Sequence, residues 1–321
     1  MRVLLTGSSG WLGRFLAPAL RSAGHTVTGL DLASGPETQV VGSVADRRVV
    51  DHAMRLGIDA VIHAAALHKP DIARYPVQAF IDVNVTGTLN LLEAAKAAGH
   101  DRFVMTSTTS LMISDAIRRE QAPEAVWLDE GTGPLAPRNI YGVTKLAAEG
   151  LCRLHAESHG LACVVLRTSR FFPEEDDTPL RPWGKPSGEN LKAIELLHRR
   201  LTVEDAAAAH VRALERAPEL GFGLYIASAP TPFVRGDAAA LKRDAAAVIC
   251  ARFPEAEALF AARGWQLPQS LGRVYDAGLA ERELGWRAHT DFAAVLNAMR
   301  AGTALPFAHD PGYASPLVKG R

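Results

Sequence analysis

A tyrosine and a lysine lie four positions apart in the segment NIYGVTKLAAEG, at Tyr141 and Lys145. In a helix this spacing places both side chains on one face. A phenol with an ordinary pKa of about 10 is a poor base at neutral pH. A neighbouring ammonium favours the phenolate and lets the tyrosine exchange a proton with an alcohol or a carbonyl. The pair therefore predicts a proton-transfer site, although an isolated pair of this kind is usually a feature of the surface.

A glycine-rich turn near the start of the chain predicts a site for a phosphorylated ligand. The segment RVLLTGSSGWLGRFL places Gly7, Gly10 and Gly13 between an apolar run and a helical pattern. In a dinucleotide-binding turn the first glycine permits a tight turn, the second lets a pyrophosphate approach the backbone, and the third lets helix and strand pack closely. The helix N-terminus adds N–H groups and a partial positive charge. The alternative is a turn that serves packing alone.

An acidic residue at the end of the second predicted strand favours the dinucleotide interpretation. Asp31 lies 18 residues beyond Gly13, where a carboxylate accepts hydrogen bonds from both ribose hydroxyls of an adenosine. The same charge repels the additional phosphate of NADP, so the pattern favours NAD as the cofactor. Ser9, Trp11 and Leu12, within and just after the glycine turn, are predicted to contribute to the same site.

The elements that must position these residues alternate through the first half of the chain. Strands are predicted at 2–6, 26–31, 38–42, 60–65, 102–107 and 162–167, and helices near 11–24, 46–56, 76–98 and 141–159. Nearly continuous apolar strands separated by helices indicate a parallel sheet that is covered on both faces. We therefore expect an α/β fold built on a doubly wound parallel sheet.

The alternation weakens after about residue 170. The segment 170–190 is rich in proline and charge and predicts an exposed loop. A helical pattern returns at 202–217 and is followed by a strand at 223–228. We therefore divide the chain into a dinucleotide-binding domain, residues 1–170, and a smaller C-terminal α/β part, residues 171–321. The second part is expected mainly to bind substrate and to interleave partly with the first.

Composition and cysteine content disfavour several classes of protein. The 35 basic and 35 acidic residues balance, which argues against partners such as nucleic acid or a membrane surface. No apolar run approaches the roughly 20 residues needed to span a bilayer, and a secretion-signal pattern is absent from the start. Cys152, Cys163 and Cys250 share no metal-ligand spacing and indicate free thiols. We expect a soluble, cytoplasmic protein and predict no metal site.

Taken together, these motifs resemble an extended short-chain dehydrogenase/reductase, of the group that includes NAD-dependent epimerases and dehydratases of nucleotide sugars. The resemblance covers about the first 170 residues and resumes around LTVEDAAAAH and RVYDAGLAERELGW. It implies a Rossmann-type sheet, NAD as the cofactor, and a homodimer formed by pairing helices into a four-helix bundle. The predicted helices at 76–98 and 141–159 have apolar faces that suit this pairing or, alternatively, the core.

The resemblance also implies catalytic roles. In such families a Ser or Thr at the end of the fifth strand binds the substrate oxygen, and FVMTSTTSL places Thr108 best and Ser107 second at that position. Tyr141 then transfers the proton, and Lys145 supports it while also binding the cofactor. The cofactor site is completed by residues near the third and fourth strands. Ser43 and Val44 fall where the family contacts the adenine, with Ser43 in place of the commoner Asp, and Ala64, Ala65 and Ala66 belong to the segment that resembles the family's fourth-strand motif.

Several further residues match positions that support the site or bind substrate. His63 and Asn84 match supporting positions, whereas His68 and Lys69 follow the fourth strand where family members often contact substrate. Arg170 replaces an asparagine that helps to hold a sugar diphosphate. Its guanidinium can bind a carboxylate or phosphate bidentately, or it can pair with the acidic run Glu174–Asp177. Arg235 and Arg273 are further candidate anion anchors or, alternatively, surface charges.

A departure from the family pattern narrows the reaction. Thr109 and Ser110 stand where 4,6-dehydratases carry an Asp-Glu pair, so elimination of water is disfavoured. We expect an epimerase that acts on a sugar or nucleotide sugar. The alternative is an NAD-dependent dehydrogenase or reductase of a sugar, a sugar acid or another polar alcohol. A third possibility is a non-catalytic dinucleotide-sensing protein, against which the intact Tyr141 and Lys145 argue.

Overall fold

The fold is described by a computed structural model of the protein, which covers residues 1–173 and 187–309. Most of the predicted loop at 170–190 therefore lies outside the described residues. The strands are β1 (Arg2–Thr6), β2 (Thr26–Asp31), β3 (Val40–Val41), β4 (Ala60–His63), β5 (Arg102–Thr108), β6 (Val126–Leu128), β7 (Ala162–Thr168), β8 (Phe222–Ala227) and β9 (Arg273–Tyr275).

The helices of the described residues alternate with these strands and then follow them. They are α1 (Trp11–Ser22), α2 (Arg47–Met54), α3 (Val77–Phe80), α4 (Gly87–Ala97), α5 (Asp115–Arg118), α6 (Ile140–His159), α7 (Gly188–Leu196), α8 (Val203–Leu220), α9 (Ala238–Arg243), α10 (Ala245–Arg252), α11 (Ala256–Ala262) and α12 (Phe292–Ala301). None of them is long and apolar enough to cross a membrane.

Seven strands form one parallel sheet in the order β3-β2-β1-β4-β5-β7-β8. All seven residues of β7 are buried, which explains why its first five residues, Ala162 to Leu166, are all apolar and do not alternate with polar ones. From β1 the chain moves outward to β2 and β3 and then returns to the other side of β1 through β4. This reversal creates a crevice at the carboxyl ends of β1 and β4, where ligands bind in sheets of this kind. The predicted doubly wound sheet is confirmed.

Helices cover both faces of the sheet. Helices α1 and α8 pack together on one face, while α2, α4 and α6 pack on the other. Side chains of β1 alternate between the two layers: Val3 and Leu5 join the core beneath α1 and α8, and Leu4 joins the opposite core. The core is thus two apolar layers separated by the sheet.

The second half of the chain contributes to two cores. Strand β8 extends the main sheet beside β7, and α8 packs on α1. The remaining elements form a smaller body, in which β6 and β9 pair in parallel and Leu241, Phe260 and Phe292 are buried among the C-terminal helices. The strand β6 comes from the first half of the sequence but belongs to the smaller body, whereas β8 comes from the second half but belongs to the main sheet. Each half of the chain therefore contributes to both cores.

The predicted helix at 76–98 is interrupted by a π-helical turn, Ile81–Thr86, between α3 and α4. The wider turn contains the buried Asn84, whose side chain accepts a hydrogen bond from the Leu67 N–H and donates one to the Leu67 carbonyl, each at 2.9 Å. A residue that bonds the neighbouring loop in this way explains an interruption that apolar periodicity does not predict. The predicted strand at 38–42 is likewise shorter, because β3 is an edge strand that pairs only through Val40 and Val41.

Candidate active site

A cleft of about 640 Å³ opens at the carboxyl ends of the central strands. One side of it is lined by many of the residues predicted to bind the cofactor: Gly7, Gly10, Trp11, Leu12, Asp31, Ser43, Val44, Ala64, Ala65 and Ala66. The predicted catalytic residues Thr108, Tyr141 and Lys145 line the same cleft. The sheet therefore brings together residues that are more than 130 positions apart in the sequence.

The glycine turn leaves bare backbone at the floor of the cleft. Gly7 has φ +75°, and a Cβ there would lie 2.8 Å from the Ala65 nitrogen. A Cβ on Gly13 would lie 2.3 Å from the Gly7 carbonyl oxygen, so α1 can approach β1 only if residue 13 is glycine. Gly10 is the N-cap of α1, and no side chain caps that end of the helix. The first N–H groups of α1 are thereby available to a phosphate.

Asp31 is held in place by two backbone groups. Its Oδ2 accepts a hydrogen bond from the Ser9 N–H at 3.0 Å, and its Oδ1 accepts one from the Ala33 N–H at 2.9 Å. Burial raises the pKa of this carboxyl above its ordinary value. Each carboxylate oxygen keeps further acceptor capacity for a ligand hydroxyl. Ser9 lies behind Asp31, because its own hydroxyl donates to the Ala33 carbonyl at 2.9 Å.

The proton-transfer group consists of Tyr141 near the start of α6, Thr108 at the end of β5, and Lys145 one turn further along α6. Thr108 and Tyr141 both line the cleft. The Lys145 ammonium is almost fully buried and donates to the carbonyl oxygen of Thr106 at 2.8 Å. Asn139 caps α6, since its side chain accepts from the Gly142 N–H at 3.0 Å. This cap, two residues before Tyr141, fixes the start of α6.

Burial acts on both ionisable members of this group and disfavours their charged forms. It raises the pKa of Tyr141 to about 12, although the hydrogen bond with Thr108 acts in the opposite direction. It lowers the pKa of Lys145 to about 8, and the charge of nearby Glu149 partly compensates. The Lys145 ammonium is therefore present at neutral pH and lost above pH 8. The protein alone leaves the phenol protonated, so additional positive charge is needed to make it a base.

A buried ion pair behind the cleft was not predicted from the sequence. Glu149, one turn beyond Lys145, accepts two hydrogen bonds from the Arg167 guanidinium, from Nε at 3.0 Å and from Nη2 at 2.7 Å. It also accepts a hydrogen bond from the Ser107 hydroxyl at 2.6 Å. Ser107 thus lines the cleft with its hydroxyl committed to Glu149, and the neighbouring Thr108 lines the same cleft. The sequence signal for Glu149 was its position four residues after Lys145, which places both side chains on one face of α6. No local pattern identifies Arg167 as its partner.

Two polar residues support the cleft from within the core. The imidazole of His63 lies between the hydroxyls of Thr6 and Thr88, at 2.8 Å and 3.1 Å. Burial lowers the pKa of His63 to about 3, so this ring is neutral at physiological pH. Asn84 reaches the helix of the catalytic pair, because its amide donates to the Thr144 hydroxyl at 3.0 Å. Both residues are structural in this arrangement, in agreement with the prediction.

The far side of the cleft is strongly cationic. His68, Lys69 and Arg170, which were predicted to contact substrate, line it, and the His68 ring stacks on Phe172 with centroids 5.0 Å apart. Further guanidinium groups from distant parts of the sequence join them, and most of these were not predicted: Arg74, Arg118, Arg138, Arg199 and Arg273. Among the described residues on this side, the carboxylates of Asp71 and Glu195 are paired with neighbouring cations. The acidic run Glu174–Asp177, the alternative partner predicted for Arg170, lies outside the described residues.

The structure separates the two other candidate anion anchors. Arg235 lies outside the cleft, where its side chain is 58% exposed and pairs with Asp129. Arg273, on β9, is 8% exposed, lines the cleft, and has an Nε without a hydrogen-bond partner among the described residues. Its pKa is lowered by burial and by the neighbouring charges of Arg199 and Arg118. A buried guanidinium among other cations is a favourable place for an anion.

Comparison with known proteins is consistent with this geometry. The sequence pattern of the NAD dependent epimerase/dehydratase family matches residues 3–221. The chain is 36% identical over 181 residues to an L-arabinose 1-dehydrogenase (NAD(P)(+)) of Haloferax volcanii, a match covering 52% of this chain and 65% of that protein. It is 34% identical over 176 residues to a UDP-glucose 4-epimerase of Azospirillum brasilense, covering 52% of this chain and 48% of that protein. The chain thus spans less than two thirds of the length of either relative.

A solved structure matches over almost the whole chain. It is a short-chain dehydrogenase/reductase superfamily protein from Agrobacterium tumefaciens, crystallised with bound NAD. The two structures superpose with a TM-score of 0.64 at 25% sequence identity, and the match covers 94% of this chain and 97% of the other. The architecture of sheet and helices is therefore shared.

The buried ion pair generates a prediction about stability. Glu149→Ala leaves the Arg167 guanidinium buried without its counter-ion and is expected to lower the free energy of unfolding by about 3–5 kcal/mol. The matched control is Glu157→Ala on the same helix, since Glu157 forms an exposed pair with Arg153. This control should cost less than about 1 kcal/mol. Urea unfolding of both variants measures the difference, and equal small losses would show that the Glu149 pair contributes little.

Proposed function

The chain belongs to the NAD dependent epimerase/dehydratase family, and on this premise we propose that it moves a hydride to and from a hydroxyl-bearing carbon of a nucleotide sugar. Epimerisation is the reaction that we propose, with the cofactor retained between turnovers. The observation that carries the proposal is the meeting, in one cleft, of the Tyr141 phenol, a bare glycine turn and the buried Arg273 guanidinium. These three features serve the proton, the cofactor and the anionic part of the substrate.

The cofactor half of the cleft fits NAD. A Cβ atom on Gly7 or Gly13 would collide with backbone atoms. Because both residues are glycine, the backbone at the N-terminus of α1 stays open to a pyrophosphate. Asp31 is positioned to accept ribose hydroxyls and to repel the extra phosphate of NADP. When bound, NAD supplies a hydride acceptor and a positive charge close to Tyr141 and Lys145.

The chain's own residues then perform the proton transfer. Thr108 donates a hydrogen bond that stabilises negative oxygen, and the Lys145 ammonium favours ionisation of Tyr141. The phenolate of Tyr141 removes the proton of the substrate hydroxyl as the carbon is oxidised, and the phenol returns it when the carbonyl is reduced. Thr109 is buried and its hydroxyl donates to the Thr168 carbonyl at 3.3 Å. It therefore offers no acid for the elimination of water, which supports epimerisation over dehydration.

The second candidate is net oxidation of a sugar or sugar acid. The similarity to an L-arabinose 1-dehydrogenase at 36% identity supports it, and a carboxylate would also satisfy the Arg273 guanidinium. In this reaction the reduced cofactor leaves after each turnover. The two candidates share Tyr141, Thr108 and Lys145 and differ in whether the cofactor exchanges.

We also propose that the protein forms a homodimer through α4 and α6. Leu89 of α4 and Leu154 and Val143 of α6 are large apolar side chains with 38%, 50% and 47% exposure, and a second copy would cover them.

Light scattering tests the proposed dimer. The wild-type chain should have the mass of two chains, and Leu154→Glu should shift it toward the mass of one, because a charge would be buried in the interface. Leu56→Glu is the matched control, since Leu56 is 37% exposed in the turn after α2, outside both helices, and should leave the mass unchanged. A wild-type mass of a single chain would contradict the proposal.

The nature of the substrate can be tested at Arg273. Arg273→Gln is expected to weaken binding of a nucleotide sugar such as UDP-glucose by about 1.5–3 kcal/mol, the value of a hydrogen bond to a charged group. Arg235→Gln is the control, because Arg235 carries the same charge outside the cleft. Calorimetric titration in the presence of NAD measures both variants. If Arg273→Gln bound as tightly as wild type, an anion at this position would be disproved.

The choice of reaction is tested by the cofactor content of protein purified without added nucleotide. An epimerase is expected to carry stoichiometric NAD, released by acid, and to convert a nucleotide sugar into its epimer without net formation of NADH. A dehydrogenase would be purified empty, would bind NAD reversibly, and would accumulate NADH with substrate.

Tyr141→Phe is the internal control for this experiment. The variant keeps the shape of the cleft and should hold NAD as wild type does. Its turnover should fall by about 10²–10⁴-fold, because the general acid and base is lost. Tyr75→Phe, a half-buried tyrosine outside the cleft, should retain turnover. Full activity of Tyr141→Phe would remove this residue from the mechanism.

A further inference from the structure

Outside the cleft, one cluster of side chains has the composition of a metal site. We propose that Glu93 of α4 and His155 and His159 of α6 bind one divalent transition-metal ion of the zinc class. One oxygen or nitrogen atom of each side chain lies within 4.8 Å of the others. In a tetrahedral zinc site with bonds of about 2.1 Å the donor atoms lie roughly 3.4 Å apart. A small rotation of the two more exposed side chains closes that difference.

The local sequence accounts for the cluster. His155 and His159 are four residues apart on α6, so their rings face the same side of the helix, and their centroids are 5.3 Å apart. Packing of α4 against α6 brings Glu93 to the same place. The sequence prediction relied on cysteine spacing, which does not detect this site. Its ligands are not cysteines, and Glu93 and His155 are 62 residues apart in the sequence.

The surroundings of His155 favour a cation. Its Nδ1 lies 2.8 Å from the Leu151 carbonyl oxygen, and its Nε2 lies 2.9 Å from Oε1 of Glu93. Both contacting oxygens are acceptors. A neutral ring that donates from Nδ1 to the carbonyl therefore directs the lone pair of Nε2 at a carboxylate. A metal ion between Nε2 and Glu93 satisfies both atoms, and the bond from Nδ1 to a carbonyl is the usual orienting contact of a metal-bound histidine.

The electrostatic setting and the donor set agree with this assignment. The cluster lies at the C-terminal end of α6, where the helix carries a partial negative charge. Lys96 approaches the other oxygen of Glu93 at 3.8 Å and leaves Oε1 directed at His155. Two imidazoles and one carboxylate suit Zn²⁺, whereas Mg²⁺ and Ca²⁺ prefer oxygen ligands. The exposed His159 leaves room for water as the fourth ligand.

The proposed ion would be structural. None of the three ligands lines the cleft, so this inference does not depend on the proposed function. The ion would connect α4 to the C-terminal end of α6, the helix that carries Tyr141 and Lys145 near its other end. Because the ion would bind the folded chain and not the unfolded one, the unfolding temperature would rise with the logarithm of the free metal concentration above the dissociation constant.

The test uses the full chain without an affinity tag, freed of metal by chelation and titrated with Zn²⁺ by calorimetry. We expect saturation at one Zn²⁺ per chain and a rise in unfolding temperature. Co²⁺ in the same site should give the intense visible absorption of tetrahedral coordination. His159→Gln should weaken Zn²⁺ binding at least about tenfold and abolish the thermal shift. Glu93→Gln, which keeps the size of the side chain, should do the same.

The control is His52→Gln, because His52 is also an exposed helical histidine but lies on α2, outside the cluster. It should bind Zn²⁺ as the wild type does. The proposal would be overturned if the wild type showed no saturable binding, or if His159→Gln and His52→Gln bound equally. The latter result would leave His155 and Glu93 as an ion pair of protonated histidine and carboxylate. NAD affinity, measured in parallel, should not change in any of these variants.

Discussion

The turn between β1 and α1 and the first turn of α1 run so close to their neighbours that only hydrogen fits at one position in each. A side chain on Gly7 would meet the backbone of Ala65, and one on Gly13 would meet the carbonyl of Gly7. This contact holds the start of α1 above the sheet and places its N–H groups at the floor of the cleft. It also joins β1, α1 and the residues after β4, which together form one wall. Asp31 and the Tyr141 phenol line a common cleft because this wall is fixed.

On the opposite wall of the cleft, burial disfavours the charged forms of both Tyr141 and Lys145. The same low-polarity surroundings that exclude water raise the pKa of Tyr141 and lower that of Lys145. Each shift disfavours the charged form, although proton transfer requires a phenolate beside an ammonium. Glu149 moderates the conflict, because its charge lies one turn from Lys145 and supports the ammonium. Arg167 in turn balances Glu149, so a core ion pair is coupled to the chemistry through the helix.

Much of this arrangement was predictable from the sequence, and the reasons differ between elements. The strand prediction at 2–6 is confirmed over the same residues as β1, because a strand buried on both faces is a short apolar run between turn residues. Gly7, Asp31, Tyr141 and Lys145 belong to local motifs, and the cleft unites them. The helix at 76–98 was predicted as continuous because apolar spacing does not register the bond of Asn84 to the Leu67 backbone. Tertiary contacts decide such features.

The cationic side of the cleft shows why the remainder could not be read from sequence. Arg167 and Arg273 are both arginines in strands, and both are buried. The first is matched by Glu149, whereas the second lies beside Arg199 and Arg118 and lines the cleft. A buried cation is costly unless something compensates it. Arg273 lines the cleft, so an anion bound there would offset the cost of burying its guanidinium. Whether a buried arginine is paired or open to an anion therefore depends on its surroundings, and for residue 273 these arise only when β9 pairs with β6 and brings the residue to the cleft.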